Sequence, residues 1–114
     1  MAQFRLDYEV ELEKAPIRIE LPVMFEGDAS AHVIGALVKD HGQTVELNGD
    51  CTGIVLLADG TKVSRTGSVS GNRAYFSLSS GCYAVPGIIR LFLSYETTDD
   101  KITLIEASGI IREV

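Results

Sequence analysis

The amino-acid sequence predicts an all-β protein, an antiparallel sandwich of about eight or nine short strands, on three observations. First, turn signals recur at short intervals: Ala58-Asp59-Gly60-Thr61, Ser70-Gly71-Asn72, Ser79-Ser80-Gly81 and Val85-Pro86-Gly87. Asp-Gly and Gly-Asn supply the positive-φ residues of tight hairpins, and Pro-Gly fits the centre of a type II turn. Second, the runs between these marks are short and apolar or alternating, such as Gly53-Ile54-Val55-Leu56-Leu57 and Ala74-Tyr75-Phe76-Ser77-Leu78. Third, the opening segment alternates strictly, the period of a strand with one buried and one wet face.

In that segment Phe4, Leu6, Tyr8, Val10 and Leu12 fall on one side, and Arg5, Asp7, Glu9, Glu11 and Glu13 on the other. Lys14-Ala15-Pro16 ends it. A second alternating strand carries Ile17, Ile19, Leu21 and Val23, and Pro22 within it marks an edge, since proline donates no ladder hydrogen bond. Residues 28–39 fit two patterns. Asp28 can cap a helix with Val33, Ile34, Leu37 and Val38 on one face; Gly35 at its centre and the strand-rich surroundings favour a strand. Residues 45–47 lead into the turn Asn48-Gly49-Asp50. Strands are then expected at 52–57, 61–69, 73–78, 88–95 and 102–112, with Ile88-Ile89-Arg90-Leu91-Phe92-Leu93 central by its nearly continuous apolar character. The count and rhythm suit an immunoglobulin-like sandwich, without the Trp and paired Cys of antibody domains.

The chain has 114 residues, 46% hydrophobic and 23% charged, which is one domain with a packed core. Residues 1–15 read as an N-terminal strand or arm available for assembly, and 16–114 as the core. A net charge of -6 with scattered basic residues argues against nucleic-acid binding. The N-terminus lacks a basic flank leading into an apolar stretch, so no signal peptide is expected, and no run is long enough for a helical membrane span. Synthesis in a bacterial cytoplasm follows, where Cys51 and Cys82 are expected as free thiols.

No constellation calls for chemistry: no catalytic, cofactor-binding or metal-binding residues are expected. Alternate carboxylates in the row Asp7, Glu9, Glu11, Glu13 lie nearly 7 Å apart at about 3.4 Å per residue, which suits a solvated, self-repelling face better than an ion site. The other aspartates fall at turns, where they bond their own backbone. Cys51 with His32 or His41 has the ingredients of a thiol nucleophile and base, with no sign of convergence. A glycan-binding module would need Tyr75, Tyr83 and Tyr95 exposed together. The residues expected to be architectural are Asp59, Gly60, Gly71, Asn72, Tyr83, Pro86 and Gly87. Tyr83 is read as a corner tyrosine with a buried ring and a hydroxyl returning to a loop carbonyl.

Gly27-Asp28, Val45-Glu46-Leu47-Asn48-Gly49 and Ala58-Asp59-Gly60-Thr61-Lys62-Val63 are followed by Gly67-Ser68-Val69-Ser70-Gly71-Asn72-Arg73-Ala74 and Cys82-Tyr83-Ala84-Val85-Pro86-Gly87. In order and spacing these resemble the N-terminal domain of phage baseplate upper proteins, over roughly residues 23–112. The resemblance implies a non-enzymatic virion component, an immunoglobulin-like module that docks through protein–protein contacts. It contributes no site residues and no cofactor. Members of that family continue into a trimerising helix, whereas this sequence ends at Val114. A capsid decoration or head-fibre protein is therefore carried beside the tail baseplate reading. The partners implied are other virion proteins, baseplate or major capsid protein, and further copies of the chain, a trimer among them. The strand Phe4, Leu6, Tyr8, Val10, Leu12 precedes the region of resemblance and is the candidate for strand addition to a neighbour.

Overall fold

The computed structural model describes residues 4–28 and 32–114. Its strands are β1 (Phe4–Glu11), β2 (Ile17–Glu20), β3 (Met24–Phe25), β4 (His32–Asp40), β5 (Gln43–Thr44) and β6 (Asp50–Leu56). They continue with β7 (Lys62–Thr66), β8 (Ser68–Ser70), β9 (Arg73–Ser77), β10 (Gly87–Glu96) and β11 (Lys101–Arg112). Two short 3-10 turns, Leu12–Lys14 and Ser80–Tyr83, complete the described elements.

The strands form two sheets packed face to face. One has the order β1-β4-β9-β8, with β5 on β4; the other has the order β2-β11-β10-β6-β7, with β3 on β11. The sandwich is the one expected, and β10 is central as its apolar run requires. The sheets are mixed, however, rather than wholly antiparallel. β1 runs parallel to β4, and β2 and β3 run parallel to β11. The reason is that β1 and β2, although consecutive, lie in different sheets, so neither forms a hairpin with its neighbour in sequence.

Residues 32–40 are a strand because they are paired on both sides, with β1 and with β9. The stretch 17–25 is interrupted at 21–23, around Pro22. Leu21 still donates to the Ser108 carbonyl (2.8 Å), so both halves stay on β11 at the sheet's edge. The core fills from alternate positions: Ile34, Ala36 and Val38, then Ala74, Phe76 and Leu78, against Val55, Leu91, Leu93 and Ile105. Burying one such Leu or Ile side chain stabilises the fold by about 1.5–3 kcal/mol. At Gly53 the two sheets approach so closely that an added Cβ would collide with the Phe76 ring. Gly67 makes the crossing from β7 to β8 and donates to the Cys51 carbonyl at 2.9 Å.

The turns are built as their residues dictate. Gly60 has φ +91, Leu57 donates to the Thr61 carbonyl (2.9 Å), and Thr61 donates its amide to Asp59 Oδ1 (2.9 Å). Hydrogen bonding from the Thr61 side chain, with that from its amide, holds the Asp59 carboxyl below its ordinary value. Gly71 has φ +61; its carbonyl accepts from Leu47, and that of Asn72 from Val38, both at 2.8 Å. The half-buried Pro86 precedes Gly87, which opens β10 with φ +123, close against the Ala58 methyl.

Candidate interaction surfaces

The acidic row lies on the outer side of β1, at the open end of its sheet. It is not simply solvated and self-repelling, because each carboxylate has a partner on a neighbouring element. Asp7 Oδ1 accepts from Arg73 Nε at 2.9 Å, Glu9 pairs with Lys39 Nζ at 3.0 Å, and Glu11 accepts from the Gly42 amide at 3.2 Å. Glu13 accepts from the His41 amide at 3.3 Å, which holds its carboxyl below the ordinary value. Counting charges along one strand missed these partners, which parallel pairing with β4 places alongside β1.

The Asp7–Arg73 pair crosses over β4. Asp7 is level with Gly35, which is level with Tyr75, and a Cβ at Gly35 would occupy the space of Asp7 Oδ1 and crowd the guanidinium. The Arg73 guanidinium carbon sits 4.0 Å from the centroid of the Tyr75 ring. Its Nη2 is buried with no hydrogen-bond partner among the described residues.

Glu13, Asp40 and His41 bring three possible ligand atoms within 4.8 Å of one another, all on exposed side chains. They already bond among themselves: His41 Nδ1 lies 2.9 Å from Asp40 Oδ1. Exposure and mutual satisfaction describe a turn-stabilising cluster.

The thiol and imidazole groups have separate partners. Cys51 is buried in β6 and donates to the Ser68 and Tyr75 carbonyls at 3.2 and 3.5 Å; burial pushes its thiol up. The Cys82 thiol, also buried and free, faces Ser79 Oγ at 3.6 Å. His32 sits at the start of β4 with Nδ1 2.9 Å from the Tyr83 hydroxyl, and Phe4 stacks on its ring at 5.9 Å. Burial pushes His32 below its ordinary value, partly offset by Asp28.

Tyr83 is fully buried, and its hydroxyl meets the imidazole of His32, 51 residues earlier at the start of β4. The three tyrosines named for a glycan platform are therefore not exposed together. Tyr75 lies under Arg73, and the Tyr95 hydroxyl accepts from the amides of Asn48 (2.9 Å) and Gly49 (2.8 Å).

Sequence reasoning missed the outer face of the β2-β11-β10-β6-β7 sheet. In β10 the residues Ile89, Leu91 and Leu93 point into the core, which turns Ile88, Arg90 and Phe92 outward. Ile88 (66% exposed) stands opposite Ile110 (47%), and with Val23 (51%) they surround a hollow of about 380 Å³ floored by Leu21 and Gly109. Leu56 and Ile54 of β6 extend the apolar surface beside Arg90 and Phe92. The signal was present in the sequence: an apolar run in a strand covered on one side only must expose every second residue.

No family model and no curated protein matches the chain. A solved structure does: the N-terminal domain of phage TP901-1 ORF48, with TM-score 0.52 and 10% sequence identity, over 97% of this chain and 98% of that one. The two share a fold. The likeness spans the sandwich from end to end, β1 included, beyond the 23–112 stretch in which the sequence motifs occur. Among the described residues no helix is long and apolar enough to cross a membrane.

Proposed function

We propose that the chain is a non-enzymatic structural module of a phage particle, docking through protein–protein contacts of its sheet surfaces onto the tail baseplate or the capsid. The observation that carries this reading is the end-to-end fold likeness to the N-terminal domain of phage TP901-1 ORF48, a baseplate protein. The ordered turn motifs, which resemble baseplate upper proteins, support it independently. The separate partners of Cys51, His32 and His41 agree with a module whose work is contact rather than catalysis.

Within this reading β1 serves assembly through its outer edge. Among the described residues it is the longest strand at an open sheet end, eight residues against four in β2, five in β7 and three in β8. Its inner edge and Val10 belong to the fold, so a neighbour's strand would add beside it rather than draw it away. Repetition of the module on a particle multiplies weak contacts.

Imaging a labelled copy on intact particles of the phage or prophage that encodes the chain tests the reading. Label at regular positions on tail tip or head is the expected result. Abundant protein in the lysate but none on purified particles would refute it.

A further inference from the structure

We infer that the outer face of the β2-β11-β10-β6-β7 sheet is a self-association surface, which two copies of this chain bury against each other about a two-fold axis. Large apolar side chains clustered on an outward sheet face mark an interaction site. The arrangement of this face identifies a second copy as the occupant.

Cross-strand register sorts the outward side chains into rows. One row reads Lys62, Leu56, Arg90, Ser108, Glu20, and the next Ser64, Ile54, Phe92, Glu106, Arg18. A two-fold axis lying in the face, perpendicular to the strands and midway between these rows, exchanges them while keeping each strand over its counterpart. Leu56 then lies on the partner's Ile54, and Arg90 lies on the ring of the partner's Phe92, an apolar contact beside a cation–π contact. At the β2 end Glu20 meets the partner's Arg18, so opposite charges close the rim. Arg18 is 85% exposed and only loosely held by Glu106 at 3.5 Å, which leaves it free to reach.

The flanking positions agree. On one side of the two rows stand the protruding Ile88 and Ile110; on the other stand the half-buried Thr52 and Thr103, on either side of the buried Ser94. The same rotation sets Ile88 over these small side chains. Size and charge are thus complementary under a single operation, the requirement for an isologous contact.

The inference does not rest on the virion reading, because it is measured on the purified chain with no phage component present. Sedimentation equilibrium over a wide concentration range is the test. The expected result is a monomer–dimer equilibrium that Phe92→Lys weakens at least about tenfold, the scale of losing an interface anchor. Ile88→Lys, at a side chain exposed in the free chain, weakens it without threatening the fold. Glu20→Arg weakens it as well, and adding Arg18→Glu to that variant restores association. A monomer at every concentration would overturn the inference by assigning the face to a different protein. A dimer or trimer indifferent to Phe92→Lys and Ile88→Lys would overturn it too. Failure of the charge exchange to restore association would overturn the two-fold arrangement.

Discussion

The Phe76 ring of β9 occupies the space that a side chain on Gly53 of β6 would need, so the two sheets meet here with no room for an added carbon. Gly53→Ala should therefore destabilise the fold by about 1–3 kcal/mol through overpacking, read as a lower denaturant midpoint at unchanged slope. Combining it with Phe76→Leu should cost less than the two changes summed, because the smaller side chain vacates the contested volume. Gly60→Ala has nothing within 4 Å to strike, and only its φ of +91 opposes it. Its cost should stay near about 1 kcal/mol and be indifferent to residue 76.

Removing the Asp7 carboxylate leaves the Arg73 guanidinium largely buried, with one nitrogen already unpartnered. Asp7→Asn should cost about 1–3 kcal/mol, less than a deeply buried pair because Asp7 is part exposed. Gly35→Ala should produce a comparable loss by displacing the same carboxylate. The two changes together should be clearly sub-additive in a double-mutant cycle.

Burial favours the neutral form of His32, so the folded chain binds its proton less readily than the unfolded chain does. The sign follows: this contribution is constant above the ordinary value of 6.5, and stability falls as pH drops through it, until the folded form is protonated as well. Denaturation midpoints between about pH 7.5 and 5 should decline in the parent, and the slope should flatten in His32→Gln. Equal slopes in the two proteins would show that another group dominates.

Both thiols should be inert in the native chain. Cys51 and Cys82 are buried, and Cys51 is pushed up by burial, so reaction with an aromatic disulfide reagent should await unfolding and follow its rate. Rapid labelling of Cys51 under native conditions would revive the thiol-nucleophile reading.

What was legible in the sequence was what local chemistry controls. Asp59-Gly60 and Gly71-Asn72 turn where their side chains and positive φ require it, and alternation along the first strand set Val10 toward the core. Parallel pairing at β1 and β2 was not legible, since nothing local to Phe4–Glu11 reveals that its neighbour is His32–Asp40. The same long-range pairing concealed the partners of Asp7 and Glu9, and the meeting of His32 with Tyr83. Pro86-Gly87 marks where β10 begins, although Gly87 already belongs to that strand rather than to a turn; the strand's outward half was not legible, because a continuous apolar run fits burial on both faces as well as on one.

Hydrogen exchange on the chain, free and incorporated in particles, tests the account most directly. If the module works by adding a neighbour's strand to its open edge, amides on the outer edge of β1 exchange quickly in the free chain and become strongly protected on the particle. Identical exchange along β1 in the two states would contradict it.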